Sequence, residues 1–210
     1  MSTATTPPNI VFILADDLGY ADLSVYGQRN YTTPHLDRLA GEGVRFTQAY
    51  ANSAVCSATR LALITGRYQY RLAAGLEEPI PSNAANIGLP PEHPTLPSLL
   101  KAAGYDTALI GKWHLGRPPA FGPLHSGYDR FFGNLGGVVD YFTHKNGVGD
   151  DLAPDLYEGT VPVERTGYYT YVLADEAEKY VRERATQANP FFLSLHFTAP
   201  HWPWEGPHDE

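Results

Sequence analysis

Residues 10–15, Ile-Val-Phe-Ile-Leu-Ala, form an unbroken apolar run that stops at Asp16 and Asp17. Without polar alternation, such a run predicts a strand buried on both faces of a parallel sheet, with the two acids at its carboxyl end. Thr33-Pro34 followed by Leu36, Leu39 and Ala40, with Gly41 and Gly43 beyond, predicts a short helix with a cap, a first-turn proline and a glycine stop. Residues 44–46 (Val-Arg-Phe) read as a second short strand, and residues 61–65 as a helix stopped by Gly66. Residues 70–94 are rich in Pro, Gly and Asn, which predicts a long surface loop rather than a domain boundary.

Residues 95–103 predict a helix in which Pro97 is tolerated because it falls in the first turn. Residues 105–110 predict another buried strand, delivering Gly111-Lys112-Trp113-His114 at its end. Residues 117–166 carry no usable period and read as loop. Leu173, Ala177, Tyr180 and Val181 then share one helical face, opposite Asp175, Glu178, Lys179, Arg182 and Glu183. A last apolar strand over 191–197 leads into Pro200-His201-Trp202-Pro203. The alternation of strands and helices predicts an α/β fold with a largely parallel central sheet flanked by helices. In such sheets ligands collect beyond the carboxyl ends of the strands, where the polar residues of this chain cluster.

Composition narrows the function classes. Of 210 residues, 43% are hydrophobic and 12% aromatic, which fits a packed globular chain. Fifteen Lys and Arg against 23 Asp and Glu leave a formal charge of -8, which argues against a nucleic-acid binder. A single cysteine excludes an intrachain disulfide. The opening MSTATTPP lacks a basic start followed by an apolar core, and no stretch is long enough to span a membrane. The expected location is cytoplasmic, or periplasmic if an export signal has been removed.

Several residues have chemistry to offer. Asp16 and Asp17 are adjacent carboxylates that a hard, oxygen-seeking cation would balance; the alternative is a turn cap beside a solvated acid. Cys56 precedes a helix, where free N–H groups favour a negative ligand or a lowered thiol pKa, with Arg60 one turn on; it could equally be a small buried hydrophobe. Lys112 and His114, one residue apart in extended chain, would face the same side and pair a point charge with a proton-transfer group. His201 sits among prolines and tryptophans that would hold its ring, or simply pack it.

Residues 8–19 (PNIVFILADDLG) resemble the opening of the type I sulfatases, and Cys56-Ser57-Ala58-Thr59-Arg60 with Leu63-Ile64-Thr65-Gly66-Arg67 resembles their signature. Gly111-Lys112-Trp113-His114-Leu115-Gly116 and Thr198-Ala199-Pro200-His201-Trp202-Pro203 are similar to two further blocks of that family, in the same order. The resemblance implies an alkaline-phosphatase-like fold and oxidation of Cys56 to formylglycine by a maturation enzyme. One hydroxyl of the hydrated aldehyde would attack the sulfur of a sulfate ester on a small molecule or saccharide, and the other would expel sulfate by elimination. It implies a calcium ion, or another divalent cation, on Asp16, Asp17 and the modified Cys56. Arg60 would hold the formylglycine, Lys112 bridge it to the sulfate, His114 transfer the proton, and His201 touch the sulfate near the leaving oxygen.

Two departures qualify this expectation. Ala58 stands where many members carry proline, which bears on the maturation machinery. Residues 1–210 correspond to the N-terminal part of the family's catalytic domain. The later block, with a second acid–amide pair and a second lysine, and the C-terminal subdomain are expected to be missing, leaving half a metal cage and an unfinished sheet. Rival readings are a phosphonate monoester or phosphodiester hydrolase of the same superfamily, and a non-catalytic fragment. The loops carry no pattern that names the alcohol bearing the sulfate.

Overall fold

A computed structural model describes residues 7–147 and 152–209. The tail over 1–6, part of the stretch searched for a leader, and residues 148–151 of the expected 117–166 loop lie outside the described residues.

The elements follow one another as β1 (Ile10–Leu14), α1 (Pro34–Glu42), α2 (Cys56–Thr65), α3 (Leu96–Ala102), β2 (Asp106–Gly111), β3 (Arg130–Gly133), the short strands β4 (Lys145–Asn146), β5 (Ala153–Pro154), β6 (Tyr157–Glu158) and β7 (Val161–Pro162), α4 (Tyr169–Arg184), and β8 (Phe191–His196). The main sheet runs in the order β1-β8-β2-β3-β6-β7. Its first four strands are parallel, and β6 and β7 add an antiparallel ribbon at one edge.

The two central strands, β2 and β8, are apolar and buried almost throughout, because layers cover both of their faces. Strand periodicity sends Ala108 and Ile110 to one face and Leu109 to the other. Ala108, Ile110, Leu193 and Leu195 meet Leu173, Ala177 and Tyr180 of α4, the helix face expected from their spacing. Leu109 and Phe192 on the opposite face join Leu61 and Ile64 of α2, with Trp113, Tyr128 and Phe131. Each buried side chain of this size contributes about 1.5–3 kcal/mol from removal of apolar surface from water, which makes these layers the main support of the site above them.

Four expectations need correction. β1 is not buried on both faces: its residues alternate, and Val11 and Ile13 are 47% and 55% exposed. It is an edge strand that pairs only with β8 among the described residues, so its unbroken apolar sequence outruns the cover available to it. Residues 44–46 form no strand. Arg45 donates to the Val25 carbonyl and Tyr26 donates to the Phe46 carbonyl, so side chains rather than a ladder hold this segment. The 70–94 segment is irregular but not a surface loop throughout, since Ala74, Ile80 and Leu89 are buried in the α2 layer. Within 117–166 the sequence also concealed β3, a member of the parallel sheet.

Candidate active site at the carboxyl ends of the parallel strands

β1 ends by turning sharply. Asp16 N–H donates to the Ala199 carbonyl at 3.1 Å, and Asp17 adopts a left-handed backbone with φ 63°. The two acids therefore diverge in environment. Asp16 is buried, forms an ion pair with Lys112 Nζ and lies 3.3 Å from Arg60 Nη2, whereas the Asp17 side chain is 54% exposed. Burial works to raise the Asp16 carboxyl pKa, but Arg60 and Lys112 outweigh it and hold the group below its ordinary range.

Cys56 is the first residue of α2, after Val55 in extended backbone. The entry to the helix is locked by a reciprocal pair: Thr59 Oγ1 donates to the Ser53 carbonyl at 2.6 Å and accepts from Ser53 N–H at 3.0 Å. Arg60, one turn later, projects to the same end of the helix and donates from Nη1 to the Lys112 carbonyl at 2.9 Å.

Beyond β2, Gly111 has φ 112°, and a Cβ there would sit 1.9 Å from the His196 carbonyl oxygen. Only glycine lets the chain pass β8 at this point. Lys112 and His114 do not reach the site by extended alternation as expected, because His114 itself is left-handed with φ 57°. They converge nonetheless. His114 Nδ1 is 3.2 Å from Cys56 Sγ, and its Nε2 is 2.8 Å from the Ile80 carbonyl. A carbonyl only accepts, so Nε2 carries a proton in either ring state, and Nδ1 accepts from residue 56 when the ring is neutral and donates to it when the ring is protonated. Ile80 is fixed in turn, its N–H donating to Ser57 Oγ at 3.0 Å. Lys112 is fully buried, and burial together with Arg60 pushes its pKa below the ordinary lysine range against the pull of Asp16.

His201 completes the group. Its Nε2 is 3.8 Å from Asp17 Oδ2, its Nδ1 donates to the Trp202 carbonyl at 2.6 Å, and its pKa is raised, chiefly by Cys56 beside it. Burial alone would raise the Cys56 thiol, but His114, His201 and Lys112 bring it down to about 5. Asp16, Asp17, Cys56 and Arg60 line an open cavity of about 240 Å³.

All seven residues singled out from the sequence thus come together. Sequence reasoning missed Ser57, Ile80, Gly137, where a Cβ would lie 2.3 Å from the His114 ring, and His196, whose Nδ1 is 3.2 Å from Arg60 Nη1. His196 and Ser194 interrupt an apolar strand two residues apart, a signal that marks one face as polar. Ile80 acts through its backbone, which leaves no trace in residue type.

Among the described residues no three His, Cys, Asp or Glu side chains form a ready cage for a metal ion. Asp16, Asp17 and an oxygenated residue 56 fit a hard divalent cation in kind, although not in number.

The fold and this strand-end pocket define an α/β protein of the sulfatase class, and comparison with known proteins bears this out: the Sulfatase family model matches residues 8–209. The chain belongs to the sulfatase family. It is 38% identical over 214 residues to the N-acetylgalactosamine-6-sulfatase of Sus scrofa, a match that covers 95% of this chain and 41% of that protein. It is 48% identical over 132 residues to the arylsulfatase A of Bos taurus, covering 62% of this chain and 26% of that protein. Among solved structures, Ps i-CgsB in complex with k-i-k-neocarrahexaose superposes with a TM-score of 0.86 at 33% identity, covering 95% of this chain and 46% of that one. The chain therefore spans less than half the length of these relatives.

Proposed function

We propose that the protein hydrolyses a sulfate monoester of a saccharide, with residue 56 as a formylglycine nucleophile and a divalent cation, calcium by resemblance to the family, on Asp16 and Asp17. The observation that carries this reading is the contact between His114 Nδ1 and Cys56 Sγ at 3.2 Å. In it the sulfur stands where a hydroxyl oxygen of the hydrated aldehyde would be. The aldehyde supplies two hydroxyls on one carbon, a nucleophile and a route to release sulfate by elimination, and the cation supplies Lewis-acid charge at the same place.

The chain's own residues do the rest. His114, with its proton locked on Nε2 by Ile80, accepts a proton at Nδ1 from the group at position 56. Arg60, held by Asp16 and the Lys112 carbonyl, orients residue 56, and with Lys112 it adds positive charge behind the sulfate. His201, beside Asp17 and Cys56, would donate to the leaving oxygen. These cations make a positive pocket on an acidic body. Ser57 and Ala58 are each only 1% exposed, so a maturation enzyme that reads this signature meets it before the chain folds.

Support for a saccharide comes from the relative named for N-acetylgalactosamine 6-sulfate, and from solved relatives in complex with k-i-k-neocarrahexaose and with D-glucosamine-2-N,6-O-disulfate. Trp204, three residues past His201 and 83% exposed, offers an aromatic face for a sugar ring. The test is mass spectrometry of the peptide containing residues 56–60 from active protein, alongside assays with aryl sulfates and aryl phosphodiesters. Loss of sulfur, gain of a hydrazide-reactive aldehyde and preferential sulfate release are expected, with no multiple turnover by Cys56→Ser. Active protein carrying only unmodified thiol, or a preference for phosphodiesters, would overturn the proposal.

A further inference from the structure

Arg60 also forms part of the wall of a second, smaller cavity of about 20 Å³. Most of that wall is apolar, with Leu63, Ile64, Leu115 and Phe192, but Trp113, Tyr128, Ser194 and His196 also reach it. Three of the polar side chains end in a buried nitrogen with no hydrogen-bond partner among the described residues: Arg60 Nε, Trp113 Nε1 and His196 Nε2. The three residues are 3%, 2% and 7% exposed, so bulk solvent does not satisfy them. Buried polar groups of native proteins are paired with protein or with ordered water, and three orphans at one cavity call for a common partner.

The protonation pattern says what that partner must do. His196 Nδ1 is 3.2 Å from Arg60 Nη1, a permanently protonated group that only donates. Nδ1 is also 3.3 Å from the Lys112 carbonyl, which only accepts, so its two neighbours call for opposite tautomers, and Nε2 is an N–H donor in one and carries a lone pair in the other. Arg60 Nε and Trp113 Nε1 are N–H donors in either case and need an acceptor, and Nε2 needs a partner that can both accept and donate. Tyr128 O–H donates to Ser194 Oγ at 2.9 Å, which leaves the serine oxygen a further lone pair. A cavity of roughly 10–15 Å³ is enough for one water molecule with two to four polar partners.

We propose that this cavity holds one structural water, which accepts from Arg60 Nε and Trp113 Nε1 and directs its two hydrogens to Ser194 Oγ and, in the Nδ1–H tautomer, to His196 Nε2. Through it, His196, Trp113 and Ser194 are positioning residues for Arg60. The guanidinium is then held at Nη1 by the Lys112 carbonyl and His196 and at Nε by the water, while Nη2, without a hydrogen bond among the described residues, lies in ion-pair contact with Asp16. The kinetic part of the inference rests on the sulfatase reading; the water site itself does not.

The experiment is a crystal structure of the purified protein, grown with bromide, at a resolution that shows ordered solvent. The expected result is one peak without anomalous signal within hydrogen-bond distance of at least two of the three nitrogens. No peak, or a bromide peak, overturns the proposal. His196→Gln places an amide near the position of Nε2 and should keep the water, whereas His196→Asn reaches only the position of Nδ1 and should lose it. His196→Asn should lower kcat roughly tenfold with KM changed less than about twofold, and His196→Gln should restore kcat to within about threefold. Equal kcat in the two variants overturns the positioning role. If His196→Asn does not fold, Trp113→Phe removes one donor and should shift the water peak and lower kcat in the same way; an unmoved peak and unchanged kcat count against the proposal. A protein that shows the water but releases no sulfate refutes the proposed function and leaves the water site standing.

Discussion

Asp16 and Asp17 are neighbours in sequence and opposites in environment, which makes a matched pair of substitutions informative. Asp16→Asn removes the negative charge from between Lys112 and Arg60, both buried, and should cost about 3–5 kcal/mol of stability. Asp17→Asn changes a half-exposed side chain on a left-handed backbone that asparagine tolerates well, so its effect should stay within about 0.5 kcal/mol. Both should weaken divalent-cation binding measured by calorimetry. Equal stability losses in the two variants, or unchanged cation affinity in both, would contradict this assignment. His196 supplies a pH signature. Burial and Arg60 push its pKa down to about 3, so it folds neutral. Because the folded pKa lies below the unfolded value of about 6.5, the unfolded chain binds the extra proton in acid. The stability of the neutral form is therefore complete above about pH 6.5 and should fall by about 1.4 kcal/mol per unit below it. Denaturant melts from pH 8 to 4 should show this decline in the parent protein and a shallower one in His196→Gln.

At the scale of elements, the site depends on close passages between loops and strands. Gly137, in the loop after β3, lies flat against the His114 ring: a Cβ there would be 2.3 Å from Cε1. Gly137→Ala should displace the imidazole from residue 56 and lower kcat by about 10–100-fold, part of the roughly 100- to 10,000-fold that general acid–base catalysis contributes, while the core stays folded. A variant with full kcat would show that His114 tolerates the shift. The same scale explains which elements were legible. α4 and β8 are long and strongly patterned, so their period identifies them. β3 is four residues between glycine-rich turns, too short for a period to emerge, and only its pairing with β2 defines it. The 44–46 segment has strand-like residues but no neighbouring strand, and β propensity without a partner does not make a strand.

The whole molecule leaves apolar side chains uncovered on both sides of β1, with Val11 toward α4 and Tyr50 toward α2. Val11 and Ile13 on β1 are about half exposed, Leu39 of α1 is 61% exposed, and Val44, Phe46 and Tyr50 are 80%, 67% and 84% exposed. β1 also leaves one edge unpaired among the described residues, a template for another strand. Expressed as residues 1–210, the protein should self-associate and bind an apolar dye. Light scattering showing a monodisperse, cooperatively melting monomer would refute this expectation. Val11→Lys with Ile13→Glu should reduce the association if this face drives it.

Sequence alone determined the parallel α/β class and the order of its main elements. It also carried the membership of the site, because short contiguous blocks, Asp16-Asp17, Cys56 to Arg60, Lys112 to His114 and His201, set by covalent order which groups travel together. The tertiary structure decided what those groups are like once assembled. It buried Asp16 and exposed Asp17, placed the His114 proton on Nε2 through a backbone carbonyl, and set His196 against Arg60. Those outcomes hang on contacts between residues 58 and 136 positions apart, and on glycine passages that only packed layers require. Local sequence holds no record of which distant atom will face a side chain, and that atom sets its charge, its proton and its exposure.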